Sequence, residues 1–274
     1  MSQTETSRSS KMPQDLTKLE IKNEINRLAP FHHKVELPYG LSTYVPERSV
    51  RHIEYTRIRN LVKHAFPALI DVCGGSLKGK RVLDVACNCG GFSVEAAKHN
   101  SDYVLGIDVV DHYIEQANFI KRALRLRHVE FKVMNIESLE RSKVGLFDIT
   151  FCFGILYHLE NPIHAMKQLS SITESIMLVD TTVMLIPTYM KFLLKKPLWL
   201  MNFPPVSNSQ SKDIGTSLWR SREKVVQFSP NENAVVDLLK FLGFSKVKKI
   251  KPKERGLEKR YYTGQRVTFL AIRT

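Results

Sequence analysis

The 274 residues, 43% of them hydrophobic, supply chain enough for one large core with at most an appendage. No apolar run approaches the ~20 residues of a membrane span, and Cys73, Cys87, Cys89 and Cys152 are too few and too unevenly spaced for a secreted disulfide framework; a cytoplasmic chain with reduced thiols is expected. Lys and Arg number 41 against 27 Asp and Glu, a net charge of +14 whose field attracts RNA, anionic lipid or phosphorylated molecules, or simply keeps a surface solvated.

Residues 1–15 are polar and aperiodic and read as a disordered tail. Over Asp15–Leu28, Leu16, Leu19, Ile21, Ile25 and Leu28 recur near helical spacing, which predicts an amphipathic helix. A second helix is predicted over "RHIEYTRIRNLVKHAF", residues 51–66, with the strand-like and turn-like "FHHKVELPYGLST" between the two. Residues 16–75 thus read as an N-terminal helical cap or lid on a main domain of residues 76–274.

Beyond "GGSLKGK", apolar strand runs alternate with helical patterns. "RVLDVA" leads to a helix from Phe92, "YVLGID" to "HYIEQANFIKRALR", "VEFKVM" to a short helix, and "FDITFCF" through the helix "NPIHAMKQLSSI" to "SIMLVDTTV". That rhythm predicts an α/β, doubly wound, mostly parallel sheet with helices on both faces. After the helix "NENAVVDLLKFLGF", "SKVKKIKP" and "RVTFLAIRT" follow as two strands with no helix expected between them, an antiparallel C-terminal edge and the sixth and seventh strands of a Rossmann-like sheet.

In such sheets the ligand lies beyond the carboxyl ends of the strands, and the first strand-to-helix turn touches its polar centre. Here that turn spells Asp84, Ala86, Asn88 and Gly90 at every second position, then Gly91, which is not the G-x-G-x-x-G of a pyrophosphate cradle. Cys87 and Cys89 lack the further ligands a metal site would require and are expected to pack beneath the turn. Asp108, followed by Val109, ends the second strand, where nucleoside-binding sheets place a carboxylate for the ribose hydroxyls. Asn135 follows the third strand, within reach of an adenine edge, with Ile136 beside it for the ring face.

"LDVACNCGG" resembles the first motif of class I S-adenosylmethionine-dependent methyltransferases, with Ala86 and Asn88 where that family usually has glycine. Ala is tolerated there if its φ is negative, and Asn accepts left-handed geometry better than most residues. The stretch "FDITFCFGILYHLENPIHAM", with "NIESL", "FHHKVELPYGLST", "LKGKRVLDVACNCGGFS" and "FSPNENAVVDLLKFLGF", is similar to the wobble-uridine tRNA methyltransferase and carboxymethyltransferase group. The resemblance implies S-adenosylmethionine as cofactor, with Ile136 and Glu137 beside the adenosine and Phe153 and Tyr157 flanking the sulfonium end. The Lys and Trp pattern that reads a carboxylated cofactor in that group is not evident.

A methyl acceptor that loses a proton needs a base, and His158, just past the fourth strand, is the best placed, with Asp180 at the exit of the fifth strand second. Packing is the alternative for His158, as an unrelated surface pair is for His32 and His33, which face the pocket only if the N-terminal element closes over it. The absence of an Asn/Asp-Pro-Pro-aromatic run and of a Pro-Cys or Thr-Cys nucleophile argues against adenine amines and cytosine C5 as acceptors.

The acceptor-side insertion 184–220 opens with "MLIPTYMKFLLKKPLWLMNFPPVSNSQ", apolar for a loop, with Phe192, Trp199 and Phe203 among lysines. It reads as a lid over a small-molecule or glycan acceptor, as a peripheral membrane contact through 184–206, or as ordinary core. The basic run Lys246–Arg260 is what a tRNA acceptor would use, and methyl transfer to an oxygen or nitrogen of a small molecule is preferred to it. A non-catalytic cofactor-binding module is the further alternative.

Overall fold

The computed structural model describes residues 15–45, 52–191, 196–202, 227–252 and 259–274. Residues 1–14 of the proposed tail, 192–195 and 203–220 of the insertion and 253–258 of the basic run lie outside them.

The N-terminal element comprises α1 (Lys18–Leu28) and the two-residue strands β1 (Glu36–Leu37) and β2 (Leu41–Ser42), followed by α2 (His52–Val72). A Thr17–Glu20 capping box starts α1, each side chain bonding the other's backbone amide. Its apolar stripe, Ile21, Ile25 and Leu28, is buried with Phe31 and Val35 against Cys89, Val94, Phe119 and Ile120 of the main domain. The second helix outruns the expected end at Phe66, continuing through Pro67 to Val72. An internal proline costs roughly 3 kcal/mol, and the helix is held across it by Leu61, Ala65, Phe66 and Leu69, all buried in the core.

Strands β3 (Arg81–Val85), β4 (Tyr103–Asp108), β5 (Val129–Val133), β6 (Phe147–Phe153) and β7 (Thr173–Thr182) alternate with α3 (Gly91–Lys98), α4 (Asp111–Ala123), α5 (Arg141–Val144) and α6 (Pro162–Ile172). The chain goes on through α7 (Thr188–Lys191), a ribbon of β8 (Trp199–Asn202) and β9 (Gln227–Pro230), α8 (Glu232–Phe241), β10 (Lys246–Ile250), α9 (Lys259–Thr263) and β11 (Arg266–Ile272). The main sheet has the order β10-β11-β7-β6-β3-β4-β5, the seven-stranded, doubly wound arrangement expected.

The last two strands form the antiparallel C-terminal edge expected, β11 slotting between β7 and the outermost strand β10, antiparallel to both; what differs from expectation is a short helix, α9, between them. Asn161 and Asn231 cap α6 and α8 through their side chains. Helices α2, α3 and α4 cover one sheet face, α6 and α8 the other, and the strand order reverses between β3 and β6, which opens a crevice at their carboxyl ends.

Candidate functional site

The turn after β3 sits in that crevice. Ala86, Asn88 and Gly90 all take left-handed φ, at 54°, 51° and 79°. The alternation of small or amide residues is therefore a ladder of left-handed positions, and the condition under which Ala86 would cost little, a negative φ, is not met. Ala stays there at a strain of about 1–2 kcal/mol because flanking bonds fix the turn: Cys87 N–H donates to Ile107 O and Gly90 N–H to Cys87 O, both at 2.9 Å. Gly90 admits no side chain, since a Cβ there would lie 2.5 Å from Cζ of Phe131.

Asp84 ends β3 buried, with Ser93 Oγ donating to its Oδ2 at 2.6 Å. Burial lifts its pKa to about 7, the Ser93 bond opposes this, and the nearby Asp108 charge adds to it. Asp108 ends β4 and takes Asn88 N–H on Oδ2 at 3.0 Å and Val110 N–H on Oδ1 at 3.1 Å. Its pKa is also raised, by burial first. Each carboxylate oxygen retains a lone pair for a hydroxyl donor, and Val109 beside them is half-exposed. Two buried carboxylates at neighbouring strand ends, with no cationic side chain among the described residues bonded to either, form a cradle suited to a ligand that brings positive charge.

The thiols lie beneath this turn as expected. Cys87 and Cys89 are fully buried, and burial raises both, Cys89 to about 12. Cys89 Sγ accepts the His33 N–H at 3.2 Å, and His33 Nδ1 accepts the Gly91 N–H at 3.1 Å, so the proton of a neutral His33 ring sits on Nε2. His33 is thus a buried prop behind the turn, its ring 5.1 Å from that of Phe92, whose ring in turn meets Phe153 at 4.8 Å. Sequence reasoning had the residue but not the role, because nothing local tells that a histidine 58 positions away meets the first amide of α3.

On the far side of the crevice Asn135 and Glu137 are exposed and Ile136 is buried. The Asn135 side chain caps the following 3-10 turn by accepting the Glu137 N–H at 3.0 Å. After β6 a 3-10 turn, Leu156–His158, presents Tyr157 and His158 half-buried, their rings 4.3 Å apart.

Asp180 lies outside the reach expected of a base. It is fully buried, ion-paired with Arg266 through Oδ1, and its Oδ2 accepts Tyr261 O–H at 3.0 Å and Thr268 O–H at 2.8 Å. Both carboxylate oxygens are engaged by side chains of the fold, so Asp180 holds Arg266 rather than a substrate. Arg266, which sequence reasoning missed, passes that order to the site: its Nη1 donates to Tyr157 Oη at 3.3 Å and its Nε to Tyr261 Oη at 3.2 Å. Of the insertion, Trp199 is half-buried against the core shared by β7 and α8, and Met184 N–H donates to Pro230 O at 2.9 Å.

Residues 76–201 match a family model described as a methyltransferase domain. The chain is 34% identical over 96 residues to the tRNA U34 carboxymethyltransferase of Syntrophotalea carbinolica, covering 35% of this chain and 29% of that one. It is 31% identical over 98 residues to the ubiquinone biosynthesis O-methyltransferase of Acinetobacter baylyi, covering 36% and 41%. It therefore spans well under half the length of these curated relatives. The N-terminal domain of EvdMO1, crystallised with SAH and D-fucose, shares the fold at a TM-score of 0.65 and 14% identity, over 96% of this chain and all of that domain. Magnesium protoporphyrin IX methyltransferase from Synechocystis, with bound SAH, shares it at 0.54 and 17% identity, over 82% and 89%.

Proposed function

We propose that the chain, whose residues 76–201 form a class I S-adenosylmethionine-dependent methyltransferase domain, transfers a methyl group to an oxygen or nitrogen of a small-molecule or glycan acceptor. One observation carries the cofactor reading: the left-handed turn 86–90 clamped by Asp108, with buried Asp84 behind it. These residues fit S-adenosylmethionine, whose ammonium and sulfonium bring positive charge to two buried carboxylates and whose ribose hydroxyls suit Asp108. When bound, the cofactor supplies an electrophilic methyl group. Ala86, Asn88 and Gly90 let the backbone approach it, Val109, Asn135, Ile136 and Glu137 flank the adenosine, and Phe153 and Tyr157 flank the methyl end.

His158 is the residue to take a proton from a hydroxyl acceptor, and Arg266 is the residue that orients Tyr157 beside it. The likeness to a ubiquinone biosynthesis O-methyltransferase supports an oxygen acceptor. A tRNA acceptor is the second reading, favoured by the similarity to a tRNA U34 carboxymethyltransferase and by exposed Lys246, Lys248 and Lys251. Calorimetry with S-adenosylmethionine tests the cofactor site. Asp108→Ala removes both the ribose acceptor and the clamp on Asn88 and is expected to weaken binding ~10-fold or more, a charged hydrogen bond being worth roughly 1.5–3 kcal/mol. Unchanged affinity would end the assignment.

A further inference from the structure

Of the twelve large apolar side chains that stand exposed among the described residues, five lie in the segments around the β8–β9 ribbon, which packs beside the turn of Tyr157 and His158. Tyr189 is 77% exposed, Leu185 52%, Leu200 52%, Met201 49% and Tyr262 50%. They belong to one neighbourhood. Leu185 follows Met184, which bonds Pro230, the partner of Trp199 in the β8–β9 ribbon, and Leu200 and Met201 come next in that ribbon. Leu185 also reaches to Gly264, two residues past Tyr262. Consecutive strand residues point to opposite faces, so a ribbon lying on a core hides one of each pair; Leu200 and Met201 are both half out. Scattered exposed hydrophobics are ordinary, whereas a group on one end of a molecule marks a contact surface.

Charge says what would cover it. Residues 184–206 contain Lys191, Lys195 and Lys196 and no Asp or Glu, Lys196 and Lys259 are exposed, and the whole chain carries +14. Apolar and aromatic side chains mixed with lysines suit the boundary of an anionic bilayer, where rings sit at headgroup level and each lysine adds attraction. We propose that this end of the molecule docks on anionic membrane surfaces through Leu185, Tyr189, Leu200 and Met201, with Lys196 and Lys259 facing the headgroups. Since β9 packs against the turn carrying Tyr157 and His158, docking sets that turn near the bilayer, from which an amphiphilic acceptor can be drawn.

Flotation of the full chain with vesicles tests this. Binding is expected to phosphatidylcholine vesicles containing phosphatidylglycerol, to fall with salt, and to be slight with phosphatidylcholine alone. Leu185→Ser, Leu200→Ser and Met201→Ser combined should weaken it ~10-fold or more, and Lys196→Glu with Lys259→Glu should do likewise. Calorimetry with S-adenosylmethionine, run in solution on the same variants, checks that they are folded and separates a failure of docking from a failure of the cofactor site. The proposal is overturned if phosphatidylglycerol vesicles do not float the chain, if the serine variant floats undiminished while binding cofactor, or if tRNA retains the chain and vesicles do not.

Discussion

Replacing Asp84 by Asn should make the cofactor-free protein more stable and a worse binder, and the two effects should part with pH. Asp84 is buried, and its carboxyl is held at about 7 mainly by that burial. Unfolded, it titrates near 3.9. Below pH ~4 the group is protonated in both states, and the substitution should change little. Between pH ~4 and ~7 the unfolded carboxyl ionises while the folded one keeps its proton, so the wild type loses stability with rising pH; above 7 the whole difference is in force. A gap of that size corresponds to ~4 kcal/mol as an upper figure. Asn preserves an oxygen for the Ser93 hydroxyl, bonded at 2.6 Å, so little packing is lost. Denaturant unfolding at pH 5 and pH 8 without cofactor should show a gain for Asp84→Asn that is small at the first and a few kcal/mol at the second. Added S-adenosylmethionine should stabilise the wild type more at pH 8 than at pH 6, and the variant weakly at both. A variant no more stable than wild type at pH 8, or a gain that ignores pH, would refute the reasoning.

Gly90→Ala combines a left-handed φ with a Cβ 2.5 Å from the Phe131 ring, and thermal unfolding should register a loss of at least ~2 kcal/mol. His158→Ala should lower turnover ~100-fold or more on a hydroxyl acceptor while calorimetry finds cofactor affinity intact; equal turnover would leave the ring a packing role. Arg266→Met strands the buried Asp180 charge and should lose ~3–5 kcal/mol in denaturant unfolding, with much of it recovered when Asp180→Asn is added. A single variant within ~1 kcal/mol of wild type would show that the pair is not an energetic unit.

The sheet was legible because its strands and helices announce themselves by period, and the cofactor turn because small residues at alternate positions have few other uses. What local pattern could not supply was everything fixed by a distant partner. Asp108 and Asp180 look alike in sequence, an acid at the end of an apolar strand, yet one faces the crevice and the other is consumed by Arg266, which arrives 86 residues later on a strand whose register sets Thr268 beside Asp180. Ala86 reads as a residue that would avoid left-handed geometry, and only the bonds around the turn hold it there. Pro67 reads as a stop, and burial on both sides of it carries the helix through.

The placing of β11 between β7 and β10 bears on the order in which the fold is made. As the chain emerges from synthesis, β10 comes first but has nowhere to pair, because among the described residues its one neighbour in the sheet is the strand that follows it. Until β11 arrives, the parallel core ends on β7 with an open row of backbone donors and acceptors, and Asp180 has neither its guanidinium nor the Tyr261 and Thr268 hydroxyls. Both deficits are closed by one segment in one step. The two last strands should therefore join and leave the sheet together, a single cooperative unit whose docking completes the hydrogen-bonded ladder, neutralises the buried acid and brings Tyr157 its hydrogen-bond donor.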